Sequence, residues 1–223
     1  MTEALPTIAI VGGTGDLGTG LARRWAGAGY PVIIGSRTAD KAQEAVAALR
    51  AVLTARGCTD ISVEARDNVG AAAKADIVVL TVPFGHQAAT LESIKAAVQG
   101  KIVVDVTVPL VPPKVARVQL PAQGSAGKIA QEILGEGVRV VSAFQNVAAQ
   151  HLQDDHALEC DVLVCGNDKD AREAVVKLVV AAGMRGFHAG SIDNSAAAEA
   201  MTSLLIFINK QYQCHSGIRI TGV

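Results

Sequence analysis

The sequence predicts an α/β fold in which a doubly wound parallel sheet carries a small α/β extension at its C-terminal end. Short apolar runs alternate with longer segments that have helical periodicity or are rich in alanine. Runs that are apolar throughout indicate parallel strands covered by helices on both faces. A chain of 223 residues, 50% of them hydrophobic, is long enough to bury such a core.

The first half of the chain has the most regular alternation. Right-handed crossovers are the expected connections between strands that follow one another in this way. The order is typical of a sheet wound in both directions from its first strand. Predicted strands cover residues 7–11, 31–35, 61–63, 76–82 and 101–105, and predicted helices cover residues 16–28, 39–56 and 87–99.

The second half begins with a break in this rhythm. Residues 107–127 contain four prolines and two glycines, which predicts an extended loop. A loop of this length inside a compact domain is usually functional. The alternation then resumes, with predicted helices at residues 125–134, 169–182 and 195–209 and predicted strands at residues 138–142 and 162–165.

Composition excludes several classes of protein. Lys and Arg total 20 against 21 Asp and Glu, and only 3% of residues are aromatic, so a nucleic-acid binder is not expected. The N-terminus lacks a basic start followed by an apolar stretch, and the apolar run at residues 204–208 is far shorter than the ~20 residues that cross a bilayer. The sequence therefore predicts a cytoplasmic protein with no membrane segment.

The four cysteines do not predict a metal site. Cys58, Cys160, Cys165 and Cys214 form no C-x-x-C pair, and none has a histidine at the spacing of zinc ligands. We expect reduced thiols, with Cys165 in the core of its strand.

A glycine-rich motif lies at the first strand–helix turn. Residues 12–18, with the sequence GGTGDLG, fit G-x-G-x-x-G from the second glycine and G-x-x-G-x-x-G from the first. Glycines permit a sharp turn and close approach of a pyrophosphate, and the helix N-terminus offers unpaired N–H groups to the anion. This context favours a Rossmann-type dinucleotide site over a purely structural turn. The residues predicted to bind there are Gly13, Thr14, Gly15, Asp16 and Leu17.

The end of the second predicted strand indicates which dinucleotide binds. An NAD site carries an acidic residue there to accept a hydrogen bond from the ribose 2′-hydroxyl. This chain has Ser36, Arg37 and Lys41 instead, which would donate to a 2′-phosphate. The pattern favours NADP(H) over NAD(H); the alternative is a solvated basic turn.

No catalytic acid–base residue is predicted. The Tyr-x-x-x-Lys proton donor of short-chain reductases is absent, because neither Tyr30 nor Tyr212 has a lysine four residues later. Val82 ends the fourth predicted strand and Pro83 and His86 follow it, at the edge where ligands bind in such sheets. We expect them to line the nucleotide site and do not expect His86 to act as an acid or base.

Together these segments resemble the NADPH:coenzyme F420 oxidoreductase family. The similarity covers nearly the whole chain and continues through PLVP at residues 109–112, VVSA at residues 140–143, VCGND at residues 164–168 and DNS at residues 193–195. The sequence departs from the family at Phe84, which replaces a bulkier aromatic residue, and at residues 145–148, where QNVA replaces a His-Thr-Ile-Pro-like stretch.

The resemblance implies direct hydride transfer between NADP(H) and the deazaflavin coenzyme F420, bound ring to ring. Carried over by position, residues 14–17 would hold the pyrophosphate, and Val82, His86, Val111 and Ala149 would border the nicotinamide. Val147 and residues 205–208 would border the deazaflavin. Residues 1–142 would then form the NADP-binding domain, and residues 143–223 a smaller part that completes the acceptor site.

Three questions stay open in the sequence. The acceptor could instead be another ring such as a pterin, or the chain could be an NADP(H) sensor without turnover. Lys114, Arg117 and Lys128 could meet the anionic tail of F420 or could be ordinary loop charges. The apolar end of the last predicted helix favours a homodimer.

Overall fold

The computed structural model describes residues 4–154, 156 and 158–223. Its strands are β1 (Ile8–Val11), β2 (Val32–Ser36), β3 (Val63–Asp67), β4 (Ile77–Leu80), β5 (Ile102–Asp105), β6 (Arg139–Ser142), β7 (Asp161–Gly166) and β8 (Arg185–His188). Its α-helices are α1 (Asp16–Gly27), α2 (Ala39–Ala55), α3 (Asn68–Lys74), α4 (Phe84–Ile94), α5 (Ala126–Leu134), α6 (Ala149–Leu152), α7 (Lys169–Ala181) and α8 (Ser195–Tyr212). Short 3₁₀ turns lie at Lys95–Ala97 and Ile192–Asn194.

The strands form one sheet in the order β3-β2-β1-β4-β5-β6-β7-β8. Strands β1 to β6 are parallel. The chain proceeds from β1 towards β3 and then returns to the other side of β1 with β4, so the order reverses between β1 and β4. The Rossmann-type doubly wound sheet predicted from the sequence is therefore confirmed, and the reversal defines where a ligand is expected.

Each face of the sheet is covered by its own set of helices. Alternate residues of a strand point to opposite faces, so Ile8 and Ile10 join one core while Ala9 and Val11 join the other. Helices α1, α2 and α7 pack on the first face, and α3, α4 and α5 on the second. The four residues of β1 are all buried, which explains why the strand has no polar alternation.

The sheet departs from a fully parallel arrangement at β7. Strand β7 is antiparallel to β6 and joined to it only at Val141↔Gly166 and Ser142↔Cys165, whereas β8 is parallel to β7. A crossover between parallel strands is usually made by a helix that returns the chain along the sheet, but the connection between β6 and β7 contains only the 4-residue helix α6. The chain instead turns at buried Phe144, whose φ of 71° lies in the left-handed region.

Several elements differ from the sequence prediction. Strand β3 begins at Val63, where the predicted strand ended. The prediction missed it because an edge strand can carry charged residues and then shows no apolar run. Strand β8 was not predicted, since Arg185 and His188 are exposed and give no apolar run. Helix α3 was also missed, and α4 begins three residues earlier than predicted. Within the described part of the chain, no helix combines the length and hydropathy needed to cross a bilayer.

Candidate nucleotide-binding site

A cleft opens at the carboxyl ends of β1, β2 and β4, where the strand order reverses. Its volume is about 750 Å³, within the ~300–1,000 Å³ typical of small-molecule sites. Most of the residues predicted to bind the coenzyme come together here. The lining residues are Gly12, Thr14, Gly15, Ser36, Arg37, Thr38, Lys41, Asn68, Thr81, Val82, Pro83, His86, Ala89, Thr90 and Ser93.

The glycines of the first turn are explained by different structural requirements. Gly12 has a φ of +73°, and a Cβ there would come within 2.4 Å of Val82 Cγ1. A Cβ at Gly18 would come within 2.7 Å of the Cα of Gly13, so Gly18 allows α1 to pack tightly on the turn. Gly15 is different, because a Cβ there would meet no atom within 4 Å. Its glycine is not required by protein packing, and the space beside it is open to a ligand.

The N-terminus of α1 faces this open space. The N-cap residue Gly15 provides no side-chain hydrogen bond to the first turn. The first N–H groups of a helix lack partners within the helix and carry partial positive charge. Thr14, Gly15 and Asp16 are exposed, whereas Leu17 is partly buried against the core and Gly13 is buried. A phosphate group here would be bound through backbone N–H groups rather than through side chains.

A basic corner lies at the end of β2. Ser36 is buried, and its Oγ accepts a hydrogen bond from the Thr38 amide at 3.4 Å. Arg37 and Lys41 are exposed on the cleft wall, and neither side chain forms a hydrogen bond or ion pair with another described residue. The nearby Asp67 carboxylate is engaged elsewhere, since its Oδ1 accepts the Gly70 N–H of α3 at 2.8 Å. The corner therefore presents cationic side chains that are free to bind an anion.

The opposite wall of the cleft comes from β4 and α4. Val82 is half-buried, and Pro83 is the N-cap residue of α4. His86 is exposed on the first turn of α4, with its backbone N–H bonded to the Pro83 carbonyl at 2.8 Å. These three predicted residues present a small apolar surface with one imidazole beside it, at the entrance to the cleft.

Sequence reasoning missed Asn68 in the cleft wall. Its Oδ1 accepts the backbone N–H of Gly12 at 3.2 Å and so links α3 to the glycine-rich turn. Asn68 begins a helix that was not predicted, and the contact spans 56 positions in the chain. The only local signal was a polar pair, Asp67 and Asn68, at the end of an apolar–polar alternation.

Six predicted residues lie outside the lining of this cleft. Gly13, Asp16 and Leu17 belong to the glycine-rich turn and the start of α1, and the other three come from later parts of the chain. Val111 is 45% exposed in the proline-rich loop. Ala149 begins α6, which packs on α1 near its N-terminus; the Gln153 side chain donates to the Asp16 carbonyl at 2.9 Å. Val147 is partly buried against the first core and lines a separate cavity of about 260 Å³. The other residues around that cavity include His151, His156, Leu158, Cys160 and His215.

The C-terminal elements carry residues that the sequence predicts to border the acceptor. Helix α8 packs on α5 and β7, with Leu205 buried and Phe207 58% exposed. Lys128 forms an ion pair with Asp193 at 2.9 Å, so its charge is already partnered. Lys114 and Arg117 are exposed in the proline-rich loop and form no ion pair with described residues.

Several comparisons with known proteins agree on one family. A family model described as NADP oxidoreductase, coenzyme F420-dependent, matches residues 7–109. The chain is 40% identical over 222 residues to the F420-dependent NADP reductase of Methanocaldococcus jannaschii, covering 97% of this chain and 98% of that protein. It is 42% identical over 223 residues to the F420-dependent NADP reductase of Methanothermobacter thermautotrophicus, covering 97% and 95%.

Solved structures support the fold independently. A crystal structure from Arthrobacter sp. FB24, described as a candidate F420-dependent NADP reductase, has a TM-score of 0.76 and covers 96% of this chain and all of its own. At 24% identity this likeness shows the fold alone. The near-complete coverage by the two reductases compared above confirms the resemblance drawn from the motifs. The chain therefore belongs to the F420-dependent NADP reductase family.

Proposed function

We propose that this protein transfers a hydride between NADP(H) and coenzyme F420. The observation that carries the proposal is the cleft at the strand-order reversal, where an open glycine turn faces unpaired Arg37 and Lys41. The glycine turn suits a pyrophosphate, and the two cations suit a 2′-phosphate. Membership of the family supplies the second reactant, since the relatives are named for F420 and NADP.

The fourteen residues selected from the sequence divide into four proposed roles. Backbone N–H groups of residues 13–17 bind the pyrophosphate, and Ser36, Arg37 and Lys41 bind the 2′-phosphate. Val82, Pro83, His86, Val111 and Ala149 border the nicotinamide. Val147 borders the acceptor ring, together with the part of α8 around Leu205. The open space at Gly15 and the free side chains of Arg37 and Lys41 support the first two roles.

The protein's contribution to the chemistry is binding, orientation and exclusion of water. Bound NADPH supplies a hydride from its nicotinamide ring, and a proton from solvent completes the reduction of the acceptor. Holding the two ring carbons ~3–3.5 Å apart can lower the barrier by ~7–11 kcal/mol. Val82 and Pro83 provide an apolar wall on the nicotinamide side. The exposed His86 helps to orient the nicotinamide at the entrance of the cleft and transfers no proton. No residue is proposed as a general acid or base.

Mixing the purified protein with NADPH and oxidised F420 tests the proposal directly. We expect the deazaflavin absorbance to bleach at a rate proportional to protein concentration, with one NADPH consumed for each F420 reduced. Binding of NADPH without turnover of F420 or any other acceptor would support an NADP(H) sensor instead. Inertness towards F420 combined with reduction of a pterin would support the alternative acceptor.

The two parts of the chain serve different ligands in this proposal. Residues 1–142 form the NADP-binding domain, and residues 143–223 complete the acceptor site. Lys114 and Arg117 are proposed to meet the anionic tail of F420, because both are exposed and without an ion-pair partner among the described residues. Charge reversal of these two residues is expected to raise the KM for F420 at low salt; an unchanged KM would contradict this role.

We further propose a cytoplasmic homodimer. The outer face of α8 carries Leu204 at 55%, Phe207 at 58% and Tyr212 at 73% exposure. Leu204 and Phe207 are three residues apart, and Ile208, at 37% exposure, lies four residues from both Leu204 and Tyr212, so these side chains form one patch through which two copies could cover one another.

A further inference from the structure

A cluster of buried polar side chains lies in the protein interior next to the candidate site. We define the carboxylate cluster as Gln87, Asp105, Gln145 and Glu199 together with the backbone of Ala126. Asp105 and Glu199 are 0% exposed, although they come from β5 and α8 respectively. Carboxyl groups are rarely buried completely unless they are partnered, so their contacts identify what the cluster holds together.

The Ala126 peptide joins the two carboxyl groups. Gln87 Nε2 donates to Asp105 Oδ2 and also to the Ala126 carbonyl, the latter at 2.9 Å. The Ala126 N–H donates to Glu199 Oε2 at 2.6 Å, and the Gly127 N–H to Glu199 Oε1 at 3.0 Å. Glu199 therefore binds the N-terminus of α5 with both oxygens, which fixes the rotation of α8 about its axis.

The segment before Val147 is attached to the same cluster. Gln145 Nε2 donates to the Asp105 carbonyl at 3.0 Å, and its carbonyl accepts the Thr202 hydroxyl of α8 at 3.0 Å. Asn146 Nδ2 donates to the Ala198 carbonyl, also on α8, at 2.9 Å. Gln145 and Asn146 belong to the stretch that departs from the family pattern, and in this chain they bridge β5 and α8.

The cluster thus connects four of the segments proposed to border the two rings. Gln87 directly follows His86 in α4, and Asp105 precedes the loop that contains Val111. Gln145 lies two residues before Val147, and Glu199 lies on the helix that presents Leu205. An apolar contact tolerates small slips, whereas directional hydrogen bonds to buried groups select one arrangement.

We propose that Glu199 and Asp105 are positioning residues for hydride transfer, because through Gln87 and Ala126 they hold α4, the loop after β5 and α8 in one relative arrangement. This inference rests on the proposed function. Neither residue touches the reacting rings; both act through the segments that do. A misplacement of about 1 Å between reacting groups can reduce a rate on the order of 100-fold, so loss of the cluster affects transfer more than binding.

The substitution Glu199→Gln in the full chain tests this role. Glutamine has the same size, but its amide N–H₂ would face an N–H donor of α5. With saturating NADPH we expect kcat for F420 reduction to fall about 10-fold or more, while the NADPH Kd stays within about 2-fold. The deuterium isotope effect with 4-deuterated NADPH is expected to rise, because hydride transfer becomes rate-limiting. A purely structural role would lower Tm without changing the isotope effect of the folded protein.

Glu132→Gln, an exposed substitution on α5, provides the matched control and is expected to leave kcat and the isotope effect unchanged. If Glu199→Gln does not fold, Asp105→Asn tests the same cluster from β5. An active wild type whose folded variants keep kcat and the isotope effect would overturn the inference alone. A wild type that reduces no F420 would overturn the proposed function and this inference with it.

Discussion

At the residue scale, Arg37 is the side chain that most directly tests the choice of coenzyme. It is exposed on the cleft wall without a partner among the described residues, so its full donor capacity is available to a phosphate. A hydrogen bond to a charged group is worth ~1.5–3 kcal/mol. We therefore expect Arg37→Gln to raise the KM for NADPH about 10-fold or more and the KM for NADH less than about 2-fold.

Arg66→Gln is the matched control, because Arg66 is an exposed arginine on β3 that is ion-paired to Glu64 at 3.3 Å outside the cleft lining. It should leave the KM of both coenzymes unchanged. An Arg37 variant that raises the KM for NADPH and the KM for NADH by the same factor would contradict a role at the 2′-phosphate.

At the element scale, two glycines of the turn between β1 and α1 are expected to have different roles, one in stability and one in binding. Gly18→Ala brings a Cβ within 2.7 Å of Gly13, so we expect it to destabilise the protein by ~1–3 kcal/mol. Gly15→Ala meets no protein atom and has a φ of −85°, so its effect on stability should stay below ~1 kcal/mol. NADPH binding should weaken in the folded Gly15→Ala variant, because the new methyl group occupies the open space.

Urea unfolding and fluorescence titration measure these two effects separately. A Gly15→Ala protein that binds NADPH as tightly as the wild type would show that the pyrophosphate does not approach this position.

The strand and helix that carry the buried carboxyl groups also predict a pH dependence of stability. Burial raises the pKa of Asp105 to about 6 and that of Glu199 to about 7. Hydrogen bonds to the two carboxylates oppose this rise, because they favour the charged forms, but burial has the larger effect. Both values lie above those of the unfolded chain, so the folded state binds more protons, and stability falls as pH rises from about 4 to about 7. One pKa unit corresponds to ~1.4 kcal/mol.

Asp105→Asn removes one of these ionisations. We expect its free energy of unfolding to fall less between pH 5 and pH 8 than that of the wild type, as measured by urea titration. Asp60→Asn, at an exposed loop position, should retain the wild-type pH dependence. A wild type whose stability does not change across this range would contradict the assigned shifts.

How much of the structure was predictable differs between local and distant features. Strands β1 and β4 are buried on both faces, so their apolar runs could be identified from sequence alone. The glycine turn and the basic corner were also predictable, because each is a short contiguous segment. Asn68 and Glu199 were not, since their roles depend on partners 56 and 73 positions away in the chain. The left-handed conformation of Phe144, two residues after β6, gives no sequence signal either.

At the scale of the whole molecule, the outer face of α8 predicts self-association. We expect sedimentation at micromolar concentration to give a dimer and Phe207→Glu to give a monomer with an unchanged far-ultraviolet spectrum. Phe207 is 58% exposed, so the substitution leaves the core intact. Central aromatic residues of interfaces often contribute ~2 kcal/mol or more, enough to shift the equilibrium. A monomeric wild type would contradict the proposed homodimer.

The antiparallel junction has a consequence for how this architecture can diversify. Only two residue pairs join β6 to β7. Few backbone hydrogen bonds would therefore have to be re-formed if the segment that follows β6 were exchanged. Much of the remaining attachment is made by side chains, such as the Trp25 indole that donates to the Leu178 carbonyl at 2.8 Å. If the proposed division of the chain holds, recombination at this boundary would graft a module for a different electron acceptor while the part that binds the coenzyme keeps its inherited geometry.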